Sequence, residues 1–234
     1  MSLSNPREAS PVRKYFRLKG GTGEVTNWDK AASQEVKHSL PFRFVVLDTL
    51  TTVGGFSESA GSGIYANEVR NTTTDILRVR TKNGVLMEGP YSEIKEKLKA
   101  AGGKYAASSY IAYKEGDEWA LGNIQFIGAS LSAWLDYTRG VRITSDPGVA
   151  ITGFEQRTKG RTEYHVPTFE RLKVSDETLA AAVELDKVLQ EYLDGSLKAR
   201  AEAIEQEVKS EDPWASVPAS TQAALNNFSA EAPF

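Results

Sequence analysis

From residue 13 the chain alternates apolar and polar positions. In RKYFRLK (13–19), Phe16 and Leu18 take one side and Arg13, Tyr15, Arg17 and Lys19 the other, the period-two pattern of a half-buried strand. Gly20, Gly21 and Gly23 mark a turn, after which Val25 to Trp28 reads as a return strand. FRFVVLDTL (42–50) is nearly continuous in apolar residues and predicts a strand buried on both faces. VGGFSESAGSG (53–63) reads as a Gly/Ser-rich loop. Strands are predicted at 64–70 and 75–82, with Asn83-Gly84 turning the chain into a return strand at Val85 to Met87.

Ile94, Leu98 and Ala101 have helical spacing, which predicts a helix over 91–101 stopped by Gly102-Gly103. A strand pair follows at 104–114 and 119–127, around Glu115-Gly116-Asp117. Next comes a short helix at 129–138 with Leu131, Trp134 and Leu135 facing inward. The last hairpin, 149–157 with 161–169, turns at Lys159-Gly160 and places Pro167 at an edge or strand end. From Ser175, a candidate N-cap with Asp176 and Glu177 behind it, the period becomes helical through Leu179, Val183, Leu189 and Leu193. Gly195 is expected to separate this helix from a second one carrying Leu197, Ala201, Ile204 and Val208. The pattern gives a mainly β chain with helical additions (α+β). It has a β-rich body at 1–174, C-terminal helices at 175–209 and a flexible tail at 210–234.

Composition narrows the chemistry. The 234 residues include no Cys and two His, His38 and His165. Disulfide scaffolds, thiolate metal sites and Cys nucleophiles are excluded, and each histidine is expected as a hydrogen-bonded strand or surface residue. No apolar run nears the roughly 18 residues of a membrane span, and MSLSNPREAS has no apolar signal core. A cytoplasmic protein is expected. The formal charge of −3 hides an asymmetry: residues 1–174 carry 24 Lys and Arg against 19 Asp and Glu, residues 175–234 carry 4 against 12. A basic body attracts polyanions, and an acidic C-terminal region competes for that surface or recruits partners.

Phosphate-loop, dinucleotide, H-E-x-x-H and G-x-S-x-G signatures are absent. The nearest catalytic arrangement, Asp146 with Glu155-Gln156-Arg157, has the residue types of a metal-dependent nuclease, but common turn-strand sequences share them. A non-enzymatic protein without metal or cofactor is expected. The informative feature is the cationic strand faces. Arg78, Arg80 and Lys82 alternate with Leu77, Val79 and Thr81, a stripe of cations about 6.6 Å apart. Arg13, Arg17 and Lys19 repeat the stripe with Tyr15 between them, and Arg157, Lys159 and Arg161 crown the last hairpin. Tyr105 and Tyr113 share one face of their strand, Tyr110 and Lys114 the other. Aromatic platforms within basic faces hold single-stranded nucleic acid because every base offers a face to stack on. Tyr15, Trp28, Tyr65, Tyr105, Tyr110 and Trp119 are the stacking candidates, about half of them expected in the core instead.

The segments LPFRFVVLDTLTTVGGFSES, GIYANEVRNTTTDILRVRT, EIKEKLKAAGGKYAASSYIAY and LGNIQFIGASLSAWLDYT resemble a family of tailed-phage single-stranded DNA-binding proteins, over about residues 13–193. The resemblance implies an elaborated OB-like barrel, consistent with a helix lying between strands. It implies coating of single-stranded DNA in phage replication and recombination, in the host cytoplasm, with no enzymatic step. It further implies replication partners bound through the C-terminal tail, for which Trp214, Phe228 and Phe234 are the candidate contacts. The ending SAEAPF is similar to the Phe-terminated tips of such proteins but departs from them in carrying a single acid, Glu231. The alternative is a phage structural or assembly protein that forms homo-oligomers through its C-terminal helices.

Overall fold

A computed structural model describes residues 9–211, with side-chain surroundings through residue 199. Among these residues eleven strands share one sheet. They are β1 (Lys14–Lys19), β2 (Glu24–Asp29), β3 (Gln34–His38), β4 (Phe42–Ser57), β5 (Ser62–Ala66), β6 (Leu77–Thr81), β7 (Gly84–Gly89), β8 (Gly103–Glu115), β9 (Glu118–Ile127), β10 (Gly148–Lys159) and β11 (Thr162–Arg171). Three helices join them: α1 (Tyr91–Ala100), α2 (Ala129–Gly140) and α3 (Asp176–Glu211). The main path runs β3-β2-β1-β9-β8-β4-β5-β6-β7, with β10 and β11 branching from β4. Strands β1 and β9 are parallel, and the other pairs are antiparallel.

The long apolar strand predicted at 42–50 organises the sheet. It continues through Ser57 as β4, pairing with β8 along one edge. Its other edge takes β10 over Phe42–Val45 and β5 over Gly54–Ser57. A register shift between Val46 and Asp48 bends it between these two partners. The loop expected at 53–63 is therefore mostly strand. Gly54 and Gly55 lie within β4, and the turn shrinks to the four residues between β4 and β5. Gly55, at φ 147°, is glycine because a Cβ there would run into the backbone of Gly102. A glycine serving close strand approach carries the same letter as one serving a turn.

The mainly β, α+β class predicted from the pattern is the class observed, but the sheet is open. β11 pairs along its length with β10 alone. A single backbone hydrogen bond, from the His165 amide to the Gly20 carbonyl (2.7 Å), links it to the β1–β2 turn. Phe16, Val25, Phe44, Ile111, Ile124, Phe126, Val149 and Ile151 form the main core. Trp134 of α2 closes over them, stacked on Phe126 with ring centroids 4.6 Å apart. Leu131 packs on the same core, whereas Leu135, expected inward, is exposed. Ile94 and Leu98, one turn apart on α1, cap a second core with Val53, Ile64, Leu77 and Val79.

Helix α3 begins where predicted: the Thr178 amide donates to the Ser175 hydroxyl (3.2 Å). Ala182 and Leu185 pack against Val45, Ala112 and Trp119, on the side of the sheet opposite the first core. Gly195 does not divide the helix, which runs unbroken to Glu211. One interior glycine costs about 1 kcal/mol relative to alanine, too little to stop a helix flanked by good helix formers. The chain divides into two compact units between Leu193 and Asp194.

Candidate nucleic-acid interface

Strand alternation builds a second face on the sheet, part of which α3 covers at Val45, Ala112 and Trp119. Phe16 enters the core, so Tyr15 and Arg17 point the other way, with Arg13 and Lys19 beyond them as predicted. Phe16 pairs with Asn27, and carrying that register one step further sets Trp28 beside Tyr15. Across the next strands, Tyr15 aligns with Asn123 and Arg17 with Gln125 on β9. On the far side of the sheet Lys104 pairs with Gly54, Gly54 with Tyr65 and Tyr65 with Arg80. Lys104 and Tyr110 are six residues apart on β8 and therefore share a face, which is also the face of Tyr15.

Among the described residues four aromatic side chains are more than half exposed: Tyr15 (55%), Trp28 (57%), Phe56 (57%) and Tyr65 (54%). Register places all four on this face. Two are held by their hydroxyls: Tyr65 donates to the Thr81 carbonyl (3.3 Å), and Tyr15 lies 3.1 Å from the Ser10 hydroxyl. The ring faces stay open while the ring positions are fixed. Arg17, Arg80 and Lys104 stand exposed among them, and no carboxylate of the described residues lies within ion-pair distance of any of the three.

The other predicted contacts divide. Tyr110 is 4% exposed and its hydroxyl donates to Glu68 (2.6 Å), so it is no open platform. Ser108 donates to the same carboxyl group (2.5 Å) and receives a bond from Asn123 (2.8 Å). Burial, then the charge of Glu68, pushes the Tyr110 phenol far above its ordinary range. Tyr105 lies on the core side, edge-on to Tyr91 and within 2.8 Å of the Thr51 hydroxyl. Trp119 is packed in the cluster beneath α3, with the Lys114 ammonium 5.6 Å from its ring centre. Each ring sits on a predicted strand, but its neighbours come from elements distant in sequence.

Several cations already hold carboxylates. Arg13 reaches Glu118 (3.4 Å) and Glu115 (3.6 Å), and Arg78 lies 3.6 Å from Glu88. Lys19 binds Glu35 and Lys37 binds Glu24, and these lysines hold both glutamates below the usual carboxylate range. Arg157 pairs with Glu155 (2.7 Å). With Lys159 and Arg161 it lies on the β10–β11 hairpin, which branches from β4 and meets the β1–β2 turn at Gly20. Lys82 extends the β6 stripe and donates to the Gly61 carbonyl (3.3 Å). Exposed pairs of this kind contribute little, about 0–1 kcal/mol, so a phosphate can displace the carboxylate.

Of the nuclease-like pair, Asp146 is bound by Arg171 and Glu155 by Arg157, and among the described residues no cluster of three or more His, Asp or Glu could hold a metal ion. His38 donates through Nε2 to the Asn27 side chain (2.6 Å) and packs edge-on to Phe16. Burial, then nearby Lys14, lowers its pKa. His165 Nδ1 lies 3.4 Å from the Gly20 carbonyl. No helix among the described residues is long and apolar enough to cross a membrane. Trp214, Phe228 and Phe234 lie outside the described residues.

Phe56, Lys104 and Gln125 belong to the face but were not singled out from sequence. Phe56 sits in the stretch whose Gly and Ser content predicts a loop. For Lys104 the signal was present: counting in twos from Tyr110 reaches it. Compared with protein-family models, characterised proteins and solved structures, the chain matches none.

Proposed function

We propose that this face binds single-stranded DNA without regard to sequence, as the non-enzymatic step of coating DNA in phage replication and recombination. The observation that supports it is the placing of four half-exposed aromatic rings on one sheet face, with Arg17, Arg80 and Lys104 among them. Single exposed apolar residues are ordinary on protein surfaces. Four rings interleaved with cations suit a partner with flat apolar plates joined by a polyanion. Each stacked base contributes about 1–3 kcal/mol, and each phosphate bound releases counterions. Duplex DNA hides its base faces and gains only the second term.

The test is fluorescence anisotropy with a labelled 30-nucleotide strand and its duplex at two salt concentrations. Tighter binding to the single strand, weakening as salt rises, is expected. Equal affinity for both forms, or affinity unchanged by salt, would overturn the proposal.

A further inference from the structure

The four exposed rings form two groups. Trp28 and Tyr15 stand side by side on β2 and β1. Phe56 and Tyr65 stand on β4 and β5: Phe56 pairs with Gly63 and Gly54 with Tyr65, so the two rings are diagonal neighbours on one face. Because Gly63 has no side chain, nothing directly opposite Phe56 on β5 covers its ring. From β1 to β5 the path crosses β9, β8 and β4, four strand spacings of about 4.8 Å, and the row of Tyr15, Asn123 and Tyr110 lies six residues along β8 from the row of Lys104, Gly54 and Tyr65, which sets the stations on the order of 28 Å apart.

Between the groups lie Gln125 and Gly54, with the Glu68 carboxylate held beside them by Ser108 and Tyr110. Arg17 aligns with Gln125 on the neighbouring strand. The Gln125 amide in turn lies 3.9 Å from where a Cβ on Gly54 would stand, and Ile127 Cδ1 lies 3.1 Å from that point. Gly54 therefore keeps the floor low between Gln125 and Tyr65, with Lys104 at its side.

We infer that one DNA strand is held at two stacking stations, Trp28–Tyr15 and Phe56–Tyr65, bridged by its phosphates over Arg17, Gln125 and Lys104. This rests on the single-strand reading above and adds to it a strand path across the sheet, a minimum length and a binding role for Phe56. A gap of about 28 Å takes roughly eight nucleotides at the stacked rise of about 3.4 Å and about four steps when stretched to twice that. A four-nucleotide strand reaches one station, whereas a fifteen-nucleotide strand reaches both.

The experiment measures binding of labelled oligothymidylates of four and fifteen nucleotides to the full chain, with ultraviolet crosslinking of the longer one. Phe56→Ala and Tyr65→Ala should each weaken binding of the fifteen-mer about tenfold, within the range for one stacked base. Phe56→Trp should retain it, and crosslinks should fall at both stations. Because Phe56 is exposed, its truncation leaves the core intact, which circular dichroism verifies. If the fifteen-mer binds the parent protein but both alanine variants match it and crosslinks fall at Trp28 and Tyr15 alone, the second station is wrong while single-strand binding stands. If the parent binds neither the fifteen-mer nor the 30-nucleotide strand, both readings fall.

Discussion

Tyr110→Phe removes one oxygen atom and separates two roles for a tyrosine whose position in sequence suggested stacking. In the structure its ring is buried and its hydroxyl donates to Glu68 at 2.6 Å. The substitution keeps the ring and leaves one Glu68 oxygen without that donor, while Ser108 still donates to the other. A hydrogen bond to a charged acceptor contributes about 1.5–3 kcal/mol, and the half-buried Glu68 carboxylate still reaches solvent, which holds the loss below the top of that range. A loss of about 2 kcal/mol is therefore expected. At roughly 2–4 °C per kcal/mol for a chain of this size, Tm should fall by about 4–8 °C. The urea midpoint should fall by about 1 M at a slope near 2 kcal/mol/M. Single-strand affinity should stay within about twofold. Urea unfolding followed by circular dichroism, beside anisotropy on the same preparations, measures both. A loss below about 0.5 kcal/mol at unchanged slope would mean that Glu68 is already satisfied by water. Lost affinity at full stability would return Tyr110 to the binding face. Either result refutes the reasoning.

Two further outcomes follow from the charges. Arg17→Ala should reduce the slope of log affinity against log salt by about 0.7, the value for one single-strand phosphate contact; an unchanged slope would remove Arg17 from the phosphate path. For His38, burial lowers the folded-state pKa below the ordinary value of about 6.5. The unfolded chain then binds more protons in the window between the two values. The stability contributed by neutral His38 is complete above about pH 6.5 and is lost as pH falls through the lowered folded value. The urea midpoint of the parent should therefore fall from pH 7 to about pH 5.5 by more than that of His38→Gln; equal falls would contradict the assignment.

Alternation alone determined much of this protein. It put Phe16 and Leu18 on one side of β1 and Tyr15, Arg17 and Lys19 on the other, because side chains two apart on a strand cannot change faces without a bulge. Asn83-Gly84 set the β6–β7 hairpin, Ile94 and Leu98 set the buried side of α1, and Ser175 set the start of α3, all through interactions within a few residues. Tertiary structure decided which faces lie bare. Tyr15 and Tyr110 occupy equivalent outward positions on their strands. Tyr110 is buried against Glu68, forty-two residues away in sequence, whereas Tyr15 keeps its ring in solvent. Phe56 became a surface ring when the glycines before it served strand contact in place of a turn. Whether the sheet closed depended on β11, which meets the β1–β2 turn through one hydrogen bond. Local periodicity assigns a residue to a side of its own strand. Burial depends on what the rest of the chain lays over that side, and those contacts span sequence separations that no local pattern encodes.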